Sequence, residues 1–599
     1  MPAASWFETF DRNSWSTIDW LAARPALASL VLCLVALITY LPGQTNLPAI
    51  DRTEGVVALS SRYIVESGDI LRPRWGANVQ RTRPVGTFWA QGLAIAARPD
   101  TALNQISSYR LPSLLATALA VWLTYWLGGG LIGRTPAWMA ALGVAVTPII
   151  ALHAQLAIAE ALILPMTVIA QLALLAIYLD ARAAAWWGWR GAFWVALGVS
   201  TWFNALAVPL LALVTVATLA MLDRRWDHLR RLQPWIGLPL LGLLALPWLA
   251  SVWAVHGGTL YGDMSWRAMV DALEGGQAMK FKTIHGVFVL TLALGFVPIA
   301  PVLGPIVTRY WRRRREPVLR FLMVWLLAPI IALEVLSNKP PLYTVQAVLP
   351  AGALLAALAV MHGGAHSVRI KALPGMLVAT VVLLGLIAPA VIGVLLWITD
   401  TPLSPLLAIV FITMAGLFAG AAWAAAHGHG MAWFAAGMLG TFALGVWFNG
   451  LLMPNLRNFW TAPQIAAVTA QLNACNGGGV SVTGFREPSL ALAVAGKARI
   501  DSAPAAARAL ARDTSSYAIV ASRQFDRFQQ SLATEQPGAK LQRLGCIRSF
   551  NLARGCSLLF DVYARADDAR ARRCDLQIST DCQAKHDMVR QRLKIKHCG

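Results

Sequence analysis

Apolar runs of about 17 to 24 residues recur from position 25 to position 452 and then stop. Runs of that length match the hydrocarbon thickness a helix must cross. They predict about thirteen membrane spans, at 25–41, 110–127, 136–151, 160–178, 190–203, 207–222, 235–254, 286–307, 319–335, 345–361, 374–398, 404–425 and 432–452. The segment 42–107 separates the first two. Within it, 56–65 and 85–97 are apolar but short, and read as helices lying in the interface. From about position 454 the pattern becomes that of a water-soluble chain. Residues 479–484 and 517–522 read as strands, 488–495 and 523–532 as helices, and 541–550 with 557–563 as a closing strand pair. The expected fold is therefore a mainly α membrane protein with a C-terminal α/β domain. Its parts are an interfacial segment 1–24, a membrane domain 25–453 and a soluble domain 454–599. Residues 5–20 are aromatic and amphipathic, and no small-residue cleavage site follows 25–41, so the first helix is expected to be retained.

Composition supports this division. Only 13% of the 599 residues are charged and the mean hydropathy is +0.57, whereas soluble domains carry about 25% charged residues. The net charge of +21 comes mostly from Lys and Arg in short loops. That placement sets topology and meets anionic membrane lipids; it excludes nucleic acid as the expected partner. Arg224, Arg225, Arg230, Arg231, Arg309, Arg312 to Arg315, Arg369 and Lys371 all fall on one side, which is then cytoplasmic. An odd number of spans puts the tail on the opposite face, in the periplasm of a bacterial inner membrane. Six of seven cysteines (Cys475, Cys546, Cys556, Cys574, Cys582, Cys598) lie in that tail, which fits disulfides in an oxidising compartment, while Cys33 lies in the first span.

One loop opposes the charge rule. Residues 42–107 are external, yet hold Arg52, Arg62, Arg72, Arg74, Arg81, Arg83 and Arg98. A phosphate that guanidinium groups can grip in bidentate fashion explains them; the alternative is local pairing with Asp51, Glu54, Glu66 and Asp69. Glu160, a carboxylate near the external end of a span, marks a functional position by default.

The ordered motifs bear a family likeness. The loop carries Pro48-Ala-Ile-Asp51-Arg-Thr53-Glu54, then Glu66-Ser-Gly-Asp69 and Arg83-Pro84-Val-Gly86-Thr-Phe-Trp89-Ala-Gln91. Tyr109-Arg-Leu-Pro-Ser113 opens span two, His153-Ala-Gln-Leu-Ala-Ile-Ala-Glu160 joins spans three and four, and Asn338-Lys339-Pro-Pro341-Leu-Tyr343 precedes span ten. Gly484-Phe-Arg-Glu487-Pro-Ser-Leu490 lies in the tail. This set resembles the bacterial C-type glycosyltransferases, in the group of lipid A aminoarabinose transferases and protein O-mannosyltransferases. The resemblance implies a sugar carried on polyprenyl phosphate and moved to a lipid, glycan or protein acceptor. It implies Glu54, Asp51 and Glu160 as the acidic groups, and Arg83, Arg81, Arg110, Lys339 and Tyr343 as phosphate-binding residues. His285 has two readings: a ligand to a divalent metal cofactor, or an interfacial structural histidine.

The chain departs from the pattern at several places. The family's acidic pair becomes Thr53-Glu54, the cationic turn between spans five and six becomes Asn204-Ala-Leu206, and the His before the tyrosine of span ten becomes Leu342. Two readings follow: an active transferase, or a catalytically impaired relative that binds a lipid phosphate or a partner enzyme. A transporter is the third, and the absence of an internal repeat speaks against it.

Overall fold

The structure is a computed structural model. It describes residues 13–76, 78–80, 83–99, 103–180, 188–224, 226–255, 285–295, 310, 313, 315–336, 344–362, 388–399, 401–402, 404–427, 429–476, 479–513, 515–551, 556–566 and 582. The membrane region contains α1 (Pro25–Asn46), α2 (Asp51–Ser67), α3 (Gly86–Ala96), α4 (Ile106–Ile132), α5 (Arg134–Val146), α6 (Pro148–Ala154), α7 (Ala159–Tyr178), α8 (Trp189–Ser200), α9 (Ala207–Asp223) and α10 (Pro234–Val255). It continues with α11 (Val287–Gly295), α12 (Pro317–Leu336), α13 (Leu349–His362), α14 (Ala388–Ile398), α15 (Pro405–Ala426) and α16 (Gly430–Gly445). Seven helices among the described residues are long and apolar enough to cross a membrane, or eight if one bent pair counts as a span.

The helices have two apolar faces with different neighbours. On α1, Ala28, Leu32, Ala36 and Tyr40 have no exposed surface, while Leu30, Leu34, Ile38 and Leu41 are about half exposed. The four-residue spacing makes one stripe for the bundle and one for lipid. Small residues in the inner stripe let neighbouring backbones approach closely. Helix α7 is the most enclosed of the long apolar helices, with 83% of its apolar window buried. The predicted span 136–151 is not straight: α5 and α6 meet at 63°. The break falls at Pro148, which has no N–H to continue the α5 ladder.

Two short helices, α2 and α3, occupy the segment between α1 and α4, where the sequence predicts interfacial helices. A two-stranded hairpin (Arg74–Trp75 with Asn78–Val79) connects them. Gly86 starts α3 against Trp202: its N–H donates to the Trp202 carbonyl at 2.8 Å. A Cβ there would stand 2.5 Å from that oxygen.

Beyond the bundle come α17 (Thr461–Asn476), β1 (Val480–Thr483), α18 (Pro488–Val494), β2 (Arg499–Asp501), α19 (Ala503–Arg512), β3 (Tyr517–Ala521), α20 (Phe525–Glu535), β4 (Leu541–Asn551) and β5 (Cys556–Arg565). The strands form one sheet of order β2-β1-β3-β5-β4, parallel across β2, β1 and β3 and antiparallel beyond. Alternating side chains separate its two faces. Val480, Val482, Ile519, Phe560 and Val562 pack with Ile465, Leu472 and Leu490. Ala518, Val520 and Tyr563 pack with Ala506, Leu510, Phe528 and Leu532 on the opposite face. The sequence reading missed α17, β2 and α19. Cys546 is bonded to Cys582. Cys475 and Cys556 are also in disulfides, so the tail holds at least two bridges.

The tail touches the bundle through α18, which packs on α2. Leu492 joins a buried cluster with Ala58, Tyr109 and Ala157. Gly55 leaves room for this contact, since a Cβ on it would lie 2.6 Å from the Ser489 nitrogen.

Candidate functional site

The centre of the site is a buried ion pair. Glu54 lies in the first turns of α2 and Arg110 near the start of α4, and neither side chain has exposed surface. The Arg110 Nε donates to Glu54 Oε1 at 2.9 Å and its Nη2 to Oε2 at 2.7 Å. The rest of the guanidinium faces the end of α1 and the following turn: Nη1 donates to the carbonyls of Gly43, Gln44 and Leu47, and Nη2 to that of Pro48. These carbonyls sit at the C-terminal end of α1 and just beyond it, where a cation also suits the helix dipole.

Glu54 is equally occupied. Its Oε1 accepts the Ala157 N–H at 2.7 Å and its Oε2 accepts the Ile50 N–H at 3.0 Å. One carboxylate therefore ties the beginning of α2, the beginning of α4 and the α6–α7 connection together. The sequence reading gave Glu54 an acidic catalytic role and Arg110 a phosphate-binding role. The geometry gives both a bracing role, because each has its bonding capacity filled from within the chain and no surface to offer a ligand.

The brace sets the other candidates around it. Asp51 begins α2. Ile50, beside it, packs with Leu156, Ile158 and Ala161, the residues on either side of Glu160. Glu160 is half-buried in the first turn of α7, and its carbonyl accepts the Gln346 amide at 2.6 Å. Positions 51 and 160 are thus brought to one junction. Arg83 is half-buried just before α3, in the turn that Gly86 docks against Trp202. Arg62 pairs with Glu66 at 2.6 Å and donates to Asn104, and Arg98 donates to Ser108. Local pairing accounts for those two arginines. Arg81, Lys339 and Tyr343 lie outside the described residues.

His285 is exposed. The acid near it, Glu334, accepts the N–H groups of Gly286, Phe288 and Val289 and so holds the start of α11. Among the described residues no group of three His, Cys, Asp or Glu side chains is arranged to hold a metal ion.

No protein-family model matches the chain. Over 303 residues it is 24% identical to undecaprenyl phosphate-alpha-4-amino-4-deoxy-L-arabinose arabinosyl transferase 1 of Pseudomonas fluorescens (strain Pf0-1), covering 49% of this chain and 51% of that protein. It is 26% identical over 302 residues to the corresponding transferase of Pseudomonas aeruginosa (strain LESB58), covering 49% and 53%. The chain spans about half the length of the curated relatives it matches. Among solved structures, ArnT from Cupriavidus metallidurans bound to undecaprenyl phosphate superposes with a TM-score of 0.64 at 15% identity, over 89% of this chain and 97% of that one. The chain has the C-type glycosyltransferase fold. The apo form of that ArnT superposes with a TM-score of 0.62.

Within this C-type fold the departures acquire physical reasons. Asn204, standing where the family carries a cationic turn, accepts the Ala207 N–H at 3.3 Å and so helps start α9. Sequence reasoning missed the buried amides that flank the brace. Gln44 donates to the Ala154 carbonyl at 2.7 Å, and Gln155 to that of Thr39 at 3.1 Å, fastening α1 to the α6–α7 bend. His153, fully buried, stands beside Gln346. Their signal was available: buried polar groups need partners, and three amides within otherwise apolar runs ask for them.

Proposed function

We propose that this chain is a membrane glycosyltransferase that moves a sugar from a polyprenyl-phosphate donor to a lipid, polysaccharide or protein acceptor at the periplasmic face of the inner membrane. The observation that carries the proposal is the C-type fold over 89% of the chain, joined to sequence likeness with arabinosyl transferases over about half of it. The finer reading includes thirteen crossings, a membrane domain 25–453 and a periplasmic domain 454–599.

The acceptor oxygen attacks the anomeric carbon, the bond from that carbon to the phosphate oxygen breaks, and the acceptor proton passes to a carboxylate. Asp51 and Glu160 are the carboxylates proposed for that proton, since the junction brings their positions together. Arg83, with Arg81, Lys339 and Tyr343, is proposed to hold the leaving polyprenyl phosphate, because a fixed cation stabilises charge that develops on the leaving group. Glu54 and Arg110 hold the junction's shape.

The second reading, a lipid-phosphate-binding relative without turnover, is favoured by Thr53 at the family's acidic position and by the full occupancy of Glu54. Release of undecaprenyl phosphate from an undecaprenyl-phosphate-linked sugar by the protein in nanodiscs separates the two. The transferase reading expects turnover that falls at least a hundredfold in Glu160→Gln with folding retained, and that stays level or rises in Thr53→Asp. Donor binding without turnover, in both the parent and Thr53→Asp, would establish the second reading.

A further inference from the structure

The C-terminal sheet carries a concave site that the transferase reading leaves unused. Parallel strands β2, β1 and β3 end side by side with β1 in the middle, so successive connections leave its carboxyl edge in opposite directions. In open α/β sheets, ligands bind in the crevice beyond the strand ends at such a point. A cavity of about 340 Å³ lies there, lined by residues 483–487 after β1, 501–504 after β2, and Arg523, Gln524 and Arg527 after β3. Gly484 makes it possible. Its φ of +89° turns the chain sharply after β1, and a Cβ would stand 2.3 Å from that of Ala521.

The lining has a definite chemistry. Arg486, Arg523 and Arg527 are exposed around the cavity, and Arg523 donates to the Gly484 carbonyl at 2.5 Å. Asp501 is oriented by the Ser481 hydroxyl, which donates to it at 2.9 Å. Ser502, Ala503 and Pro504 bring the first turn of α19 to the same wall. Three guanidinium groups suit a phosphate, and the half-buried carboxylate of Asp501 suits a hydroxyl donor. Phe485, the aromatic residue of the lining, is 2% exposed and packs edge-on against Phe560. It offers no stacking face for a nucleobase.

We propose that this cavity binds a phosphorylated saccharide, with the phosphate on Arg486 and Arg527 and a sugar hydroxyl on Asp501. Its volume falls in the range of small-ligand sites. The motif Gly484 to Leu490 then has two linked tasks: its first half lines the cavity and its second half, in α18, packs on α2. A glycan held there is coupled through one short helix to the element that begins with Asp51. Binding at this site needs no donor and no turnover, so it stands or falls apart from the proposed transfer reaction.

The test is calorimetric titration of the whole protein in phosphatidylcholine nanodiscs without donor. Glucose 1-phosphate should bind saturably, inorganic phosphate at least tenfold more weakly, and methyl glucoside not measurably. Arg486→Gln/Arg527→Gln should weaken glucose 1-phosphate at least tenfold while the melting temperature holds, since both side chains are exposed. Arg523 is left intact because it also braces the turn. Asp501→Asn should reduce the preference for the sugar phosphate over inorganic phosphate. Absence of saturable binding overturns the proposal, as does equal binding of inorganic phosphate or indifference to the double substitution. Loss of glucose 1-phosphate binding when phosphatidylglycerol is added to the nanodiscs would assign the site to a lipid headgroup, and overturn the saccharide assignment.

Discussion

Replacing Arg110 by Met reads the buried brace directly. The substitution keeps an unbranched stem of similar length and removes the guanidinium. Glu54 then retains two N–H donors, from Ile50 and Ala157, and loses both guanidinium bonds. Four carbonyls, of Gly43, Gln44, Leu47 and Pro48, lose a donor in the same step. Breaking a fully buried pair from one side costs about 3–5 kcal/mol, because an uncompensated charge stays behind. Glu54→Leu leaves the guanidinium with its four carbonyl acceptors, so its cost should sit at the lower end, about 3 kcal/mol. The double variant removes both charges and should be more stable than the sum of the single losses predicts, by about 1–3 kcal/mol of coupling. Dodecyl sulfate titration in mixed micelles, followed by circular dichroism, measures all three against the parent. Strict additivity, or single variants as stable as the parent, would refute the brace. A Glu54→Gln protein that folds like the parent but loses turnover would return Glu54 to the chemistry.

Two further outcomes check the assembly around that pair. Gly55→Ala forces a Cβ to within 2.6 Å of the Ser489 nitrogen, so it should cost about 1–3 kcal/mol by overpacking and speed proteolysis between α18 and the sheet; unchanged proteolysis would deny that α18 seats on α2. A reporter fused after Leu532 should read external and one inserted among Arg312 to Arg315 cytoplasmic, and a cytoplasmic tail would invert the proposed orientation.

Much of the fold was legible because lipid imposes one rule on every span: about 20 apolar residues in a helix. What the runs hid was orientation about each axis. On α1 the lipid face and the bundle face are both apolar, so a soluble-protein periodicity is absent and only the size difference between Ala28 or Ala36 and Leu30 or Leu34 separates them. In the tail, β2 escaped notice because three residues, Arg-Ile-Asp, cannot show a period, and it takes its place only by pairing with β1. The site was legible in residue types but not in the contacts those residues make. Glu54 and Arg110 stand 56 positions apart, and no spacing rule links them; only tertiary structure shows that two charges assigned to a ligand satisfy one another.

That pairing changes what the Thr53 departure means. With Glu54 fixed against Arg110, Ile50 and Ala157, the rotation of α2 about its axis is set. Position 53 precedes the braced residue by one and position 51 by three, in the same first turn of α2. Ile50, the residue that caps α2, packs with the residues that flank Glu160, so the start of α2 lies against the start of α7. Position 51 begins this same helix, next to Ile50. The brace is thus compatible with a threonine at position 53, and the two other acidic positions, 51 and 160, stand at the first turns of α2 and α7.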